Sequence, residues 1–105
     1  MNEISIKDFH KIYQTKSTWR LIDVREPSEY DEAHIADSIN IPLSLLLEKH
    51  FLFLNKNKDY YIICKNGSRS FTATSFLEKE GYIVTNVVEG IIRWPGRIVK
   101  SCRNY

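Results

Sequence analysis

The sequence has few of the residues that mark specialised classes of protein. It contains two cysteines, Cys64 and Cys102, and no Cys-x-x-Cys pair, which excludes a disulfide framework and a cysteine-based zinc site. The three histidines are scattered without ligand spacing, so we expect no metal and no cofactor. The longest apolar runs, such as Leu45–Leu47 and Phe51–Leu54, are far shorter than the roughly 20 residues that span a membrane.

Neither positive nor negative charge is in large excess. The 15 Lys and Arg residues nearly balance the 13 Asp and Glu residues, so the formal net charge is +2 with both signs interspersed. Such a balance indicates neither nucleic acid nor a membrane surface as a partner. The first residues show no basic region followed by an apolar stretch, so we expect no secretory signal and a cytoplasmic location.

The remaining composition is typical of one folded domain. A length of 105 residues is common for a single domain, and 43% hydrophobic residues are sufficient to form a core. We predict a single domain over residues 1–105, with a core over about 4–96 and a C-terminal tail over 97–105.

Helix and strand signals alternate along the chain. We predict helices over about 5–13, 43–51 and 68–80, helical turns at 27–30 and 91–94, and strands over about 19–24, 38–41, 60–63 and 83–88. Alternation of this kind implies crossover connections, so we predict an α/β fold with a mostly parallel sheet and helices on both faces. Functional groups in such sheets lie just beyond the carboxyl ends of strands.

The segment after the strongest strand signal carries the chemistry. Cys64 ends that strand and a helix begins at Ser68, which leaves a tight loop whose Asn66-Gly67 pair suits positive φ. Such a loop turns backbone N–H groups inward, and the helix dipole together with Lys65 and Arg69 adds positive charge. We therefore predict a thiol that is ionised at neutral pH and can be reached by a reactant; an inert buried cysteine is the alternative.

Three segments, in order, resemble a known family. The first consists of Leu21–Tyr30, His34-Ile35 and Ile39–Leu43 taken together. The second is Cys64–Ser70, and the third is Val88–Trp94. The first is similar to the N-terminal half of a rhodanese-like domain, the second resembles its Cys-x-x-Gly-x-Arg loop, and the third resembles its Gly-Gly-x-x-x-Trp ending, with Glu89 replacing the first glycine. The resemblance covers about residues 4–96 and implies the three-layer rhodanese-like fold with a central sheet of about five strands.

The resemblance also implies an activity. Rhodaneses move a sulfane sulfur from a donor such as thiosulfate to a thiophilic acceptor through a cysteine persulfide. Carried onto this sequence, Cys64 is the nucleophile, the backbone N–H groups of Lys65–Arg69 hold the persulfide, and the Lys65 side chain adds attraction. Arg69 steadies the loop and binds the anionic donor. The expected partners are a small anionic sulfur donor, either thiosulfate or a persulfide, and a thiol or protein acceptor.

Asp23 and Arg25 follow another predicted strand, and the resemblance implies that they brace the active-site region by ion pairing. Ordinary structural ion pairing is the alternative. Cys102 lies in the predicted tail, where it is either a loosely held thiol or a group that resolves the persulfide as an internal disulfide.

Two other functions stay open at this point. Cysteine phosphatases and arsenate reductases with this fold also place a cysteine and an arginine around an anion. Only four residues separate Cys64 from Arg69, one fewer than in those phosphatases, so the loop is expected to exclude phosphate. The other alternative is a non-catalytic binding module, which the presence of both residues disfavours.

Overall fold

The computed structural model describes residues 1–15 and 18–101 and has an α/β architecture. In chain order the elements are β1 (Asn2–Ile4), α1 (Ile6–Gln14), β2 (Leu21–Asp23), α2 (Pro27–Glu32), β3 (His34–Ile35), β4 (Ile39–Asn40), α3 (Leu43–Phe53), β5 (Asp59–Ile63), α4 (Ser68–Lys79), β6 (Ile83–Val87), a 3-10 helix (Ile91–Arg93) and β7 (Ile98–Val99). The predicted alternation of strands and helices is confirmed.

The central sheet has five strands in the order β1-β6-β5-β2-β4, and every pairing in it is parallel. This confirms the predicted parallel sheet of about five strands. β5 and β2 lie next to each other with Asp23 opposite Ile63, so the two strands end side by side. Because functional groups of parallel sheets lie beyond these ends, the chain segments that follow Asp23 and Ile63 share one edge of the sheet.

Hydrophobic residues cover both faces of the sheet, as a sheet buried between helices requires. Neighbouring residues of a strand point to opposite faces. Ile22 and Ile62 therefore pack with Leu46 of α3 and Leu77 of α4, in a cluster that also contains Cys64. On the opposite face lies a second cluster that contains Leu21, Ile63, Ile6, Phe9 and Trp94. The predicted helices on both faces are confirmed.

Three short strands have no counterpart in the sequence-based prediction. β1 pairs with β6 at the edge of the sheet, and β3 pairs antiparallel with β7. Within the predicted C-terminal tail over 97–105, Ile98–Val99 thus forms a strand, and Ser101 N–H donates to Asp31 O at 3.0 Å. Strands of two or three residues are too short to show a period. Cys102 lies outside the described residues.

Two negative findings apply to the described ranges 1–15 and 18–101. No helix there is long and apolar enough to cross a membrane. No group of three or more His, Cys, Asp and Glu side chains there could hold a metal ion.

Candidate active site

The loop between β5 and α4 is shaped by a close approach of two backbones. Gly67 precedes α4 with a φ of +98°, in the left-handed region that favours glycine. A Cβ atom at this position would overlap the carbonyl oxygen of Val88. The loop is thus pressed against the segment that follows β6, which confirms the positive φ predicted for the Asn66-Gly67 turn.

The same segment after β6 holds the start of the loop by backbone hydrogen bonds. The N–H of Ile91 donates to Cys64 O at 2.9 Å, and the N–H of Ile92 donates to Lys65 O at 3.0 Å. Gly90 makes this approach possible, because a Cβ there would overlap the carbonyl of Lys65. Residues of the segment Val88–Trp94, the third motif of the family resemblance, therefore fix the position of Cys64.

Glu89 occupies the position of the first glycine in the Gly-Gly-x-x-x-Trp ending that the third segment resembles. Its Oε1 accepts a hydrogen bond of 2.8 Å from the N–H of Ile6, the first residue of α1. The first N–H groups of a helix have no partner within the helix, so this bond caps α1 in addition to Ser5, whose Oγ accepts from Asp8 N–H at 3.0 Å. The departure from the motif thus ties α1 to the segment that holds the loop.

Backbone N–H groups converge on the sulfur of Cys64. Gly67 N–H donates to Sγ at 3.1 Å and Ser70 N–H donates at 3.3 Å. The thiol donates in turn to Ser70 Oγ at 3.3 Å, and that hydroxyl donates to Gly67 O at 3.1 Å. Sγ is therefore surrounded by the first turn of α4 and the residue before it.

The set of N–H groups that donate to Sγ differs from the expected set, which was Lys65–Arg69. Within that range only Gly67 N–H donates to the sulfur, and the second donor, Ser70, lies one residue beyond it. The N–H and the hydroxyl of Ser68 both donate to Asn66 Oδ1, at 3.2 and 3.0 Å. Asn66 and Ser68 therefore stabilise the turn, because an Asn side chain that accepts from two residues on closes such a turn locally.

The Cys64 side chain has no exposed surface. The expectation that a reactant can reach the sulfur is therefore not met in this conformation. A cavity of about 270 Å³ adjoins the loop, and its walls do not include Cys64; they are formed by Arg25, Glu29, Glu32, Ala33, Lys65, Ile91 and Ile92. A donor that entered this cavity would reach the sulfur only after a movement of the loop or of a neighbouring side chain.

Asp23 and Arg25 form the ion pair that the sequence analysis predicts. Arg25 Nη2 donates to Asp23 Oδ2 at 2.9 Å, Nε donates to both carboxylate oxygens at 3.1 Å, and both residues are buried. Arg25 Nη2 also donates to Ala33 O at 2.6 Å. The pair thus connects the end of β2 to the residue that follows α2, one of the cavity walls.

Arg69 is bound differently from the expectation. Its guanidinium donates through Nη1 to Glu29 Oε1 at 2.6 Å and through Nη2 to Glu29 Oε2 at 3.0 Å. These bonds hold the pKa of Glu29 at about 2, well below its ordinary value, and raise the pKa of Arg69. The Arg69 guanidinium, to which the resemblance assigns donor binding, is therefore already bound to a carboxylate of α2.

Two residues of this site were present in the quoted motifs without an assigned role. Glu29 is the third residue of α2, which begins at Pro27, and it lies 40 positions from Arg69, so no local signal in the sequence identifies it as the partner of Arg69. Ser70 follows Arg69, and a small hydroxyl residue in the first turn of a helix beyond a cysteine loop is the signal that could have identified it.

Fold and site together define an α/β domain in which a buried cysteine follows a central parallel strand and is enclosed by the start of a helix. This chain belongs to the rhodanese-like domain family, because the model of that family, described as "Rhodanese-like domain", matches residues 5–96. Relatives of the chain are named sulfurtransferases, which supports a role in sulfur transfer.

Three proteins illustrate the similarity. YrkF of Bacillus subtilis is 40% identical over 90% of this chain, which spans 51% of YrkF. A sulfurtransferase of Allochromatium vinosum is 30% identical, with 90% of this chain and 88% of that protein covered. The crystal structure of a rhodanese-related protein from Thermoplasma volcanium has a TM-score of 0.84 and 35% identity, covering 94% of this chain and 98% of its own. The chain spans 26% or less of several longer relatives.

Proposed function

We propose that this domain transfers a sulfane sulfur from thiosulfate or another persulfide donor to a thiol acceptor through a persulfide on Cys64. The observation that carries the proposal is the convergence of the Gly67 and Ser70 N–H groups on Sγ at the end of a central strand. Two such donors stabilise negative charge on a sulfur atom. Membership of the rhodanese-like family supports the proposal. We also propose that the reaction takes place in the cytoplasm.

The first displacement uses the thiolate form of Cys64, whose ionisation stays a prediction. The thiolate attacks the outer sulfur of thiosulfate, a new S–S bond forms, and the bond to the sulfonate sulfur breaks with its electron pair on sulfite. In the second displacement, an acceptor thiolate attacks the outer sulfur of the persulfide and Cys64 leaves as the thiolate. Two displacements through one covalent intermediate predict ping-pong kinetics.

The burial of Cys64 favours a second candidate function, a non-catalytic binding module. A thiol without exposed surface transfers sulfur only after the loop or a neighbouring side chain moves, and binding alone does not require that movement. A phosphatase has no such support, because Arg69 is paired with Glu29 and the Ser68 N–H is used by Asn66.

Intact-mass measurement after treatment with thiosulfate tests the proposal. We expect the wild-type protein to gain one sulfur atom, and cyanide to remove it as thiocyanate. Cys64→Ser should gain none, whereas the matched control Cys102→Ser should react like the wild type. Absence of an adduct with both thiosulfate and organic persulfides would favour the binding module. An adduct that survives in Cys64→Ser and is lost in Cys102→Ser would assign the reactive thiol to Cys102.

A further inference from the structure

A further inference, which rests on the proposed sulfur transfer, concerns how the net charge of the sulfur donor decides which donors the domain uses. We propose that Glu29 is a specificity-determining residue that competes with doubly charged inorganic donors for Arg69. The domain would then favour a persulfide on an organic carrier of low net charge over thiosulfate. The proposal follows from the partners of the cations, the way Glu29 is held, and the walls of the adjoining cavity.

The cations near the loop are mostly neutralised before any donor arrives. Arg25 is paired with Asp23, and Arg69 is paired with both carboxylate oxygens of Glu29. Within residues 1–15 and 18–101, Lys65 is the cation of this loop without an ion pair, and it is exposed. A dianion that sought a guanidinium at this site would therefore have to displace a carboxylate.

Glu29 is held in place from a second direction. Its Oε1 also accepts the N–H of Glu26 at 3.0 Å, as part of a capping box at the start of α2. A carboxylate fixed on the same chain acts at a high effective concentration, so a dissolved anion competes with it poorly. Since the pKa of Glu29 is about 2, the competing charge is present throughout the neutral range.

The adjoining cavity carries no net formal charge on its walls. Arg25 and Lys65 contribute two positive charges, and Glu29 and Glu32 contribute two negative charges. The remaining walls are the apolar side chains of Ala33, Ile91 and Ile92. Thiosulfate would bring two negative charges next to two carboxylates, whereas a short organic carrier would place its carbon stem against the apolar walls. A volume of about 270 Å³ is sufficient for such a carrier.

The test compares Glu29→Gln with Glu32→Gln in the full chain. Glutamine at position 29 removes the charge and retains the capping box, since either Glu or Gln completes it. The control removes the same charge from the same cavity wall and leaves the Arg69 pair intact. The donors are thiosulfate and cysteamine persulfide, whose ammonium group offsets the charge of its terminal sulfur. The readout is kcat/KM for each donor.

We expect Glu29→Gln to raise kcat/KM for thiosulfate about fivefold, the change that loss of a half-exposed ion pair allows. Its kcat/KM for cysteamine persulfide should stay within about twofold. Glu32→Gln should raise the thiosulfate value by no more than about twofold, because a wall carboxylate that has no bond to Arg69 acts on the donor only as a screened charge. An unchanged or lower thiosulfate value in Glu29→Gln, or an equal gain in Glu32→Gln, would overturn the inference. A loss would mean that Arg69 needs Glu29 to be positioned.

A second measurement on the wild-type protein keeps the inference testable if Glu29→Gln does not fold. Sulfate, an unreactive dianion, should fail to protect Cys64 from iodoacetamide at the concentration of thiosulfate used in the assays. Strong protection would show that Arg69 accepts a dianion despite Glu29, and the inference would be wrong. Failure of the proposed function looks different, since then neither donor would leave a sulfur on Cys64 in any variant.

Discussion

Two arginine–carboxylate pairs near the Cys64 loop use the same groups in different surroundings. The Asp23–Arg25 pair is buried, with 1% and 7% of the two side chains exposed, and Arg25 has a further bond to Ala33 O. The Glu29–Arg69 pair has about a third of each side chain exposed, at 32% and 33%. Water can therefore take the place of a lost partner in the second pair but not in the first.

The difference shows that exposure decides what an ion pair contributes. A buried charge that loses its partner stays desolvated and uncompensated, which is costly, whereas water replaces the partner of an exposed charge. The buried pair is thus part of the framework that connects β2 to the residue after α2. The partly exposed pair contributes little to stability, so its removal is expected to change the choice of donor more than the folding of the domain.

The largest expected effect is that of Asp23→Asn on the buried pair. The substitution leaves the Arg25 guanidinium buried beside a neutral side chain, so we expect the free energy of unfolding to fall by about 3 kcal/mol or more. Urea titration followed by circular dichroism measures this change. Glu29→Gln is the control, with an expected loss below about 1 kcal/mol. Equal losses in the two variants would remove the distinction between the pairs.

An intermediate effect is expected at Ser70, whose hydroxyl is buried between Cys64 Sγ and Gly67 O. Ser70→Ala should lower the free energy of unfolding by about 1 kcal/mol, because Gly67 O keeps the N–H of Phe71 as a partner. The hydroxyl can turn to donate to a thiolate, and a hydrogen bond to a charged group is worth about 1.5–3 kcal/mol. Alkylation of Cys64 at fixed pH should therefore slow roughly tenfold.

Ser68→Ala is the matched control for this prediction. It makes the same substitution two residues earlier, at an exposed hydroxyl that donates to Asn66 Oδ1 and does not contact the sulfur. We expect its alkylation rate to stay close to that of the wild type. Equal slowing in both variants would mean that the rate reports loop stability and not a hydrogen bond from Ser70.

Local patterns in the sequence predicted the class of fold and most of its helices and strands. The run Tyr60–Ile63 predicted β5, and helix starts were correct at Leu43 and Ser68, because capping and turn residues act within a few positions. β3 and β7 escaped prediction, since each has two residues and depends on a partner more than 60 positions away. Short strands of this kind are fixed by the packing of the finished fold.

The candidate site was predictable in composition and less so in contacts. The positive φ of Gly67 follows from the local Asn66-Gly67 pair, and the ion pair of Asp23 and Arg25 was implied by the family resemblance. The partner of Arg69 lies 40 positions away in Glu29, which only the three-dimensional arrangement brings close. The burial of Cys64 could not be read from the strand end, since an inert cysteine and a reactive one begin with the same pattern.

The smallest expected effect, and the sharpest test of the comparison, is the acid dependence of the Glu29–Arg69 pair. The pKa of Glu29 is about 2 in the folded protein and 4.5 in its ordinary state, because the Arg69 guanidinium donates to the carboxylate. The pair therefore stabilises the fold fully above pH 4.5, and this contribution is lost as the pH falls towards 2. Because a third of each side chain is exposed, we expect less than about 1 kcal/mol. The difference in the free energy of unfolding between wild type and Glu29→Gln, measured from neutral pH downwards, should shrink below pH 4.5. A difference that stays constant, or that matches the loss in Asp23→Asn, would make this pair a second part of the framework.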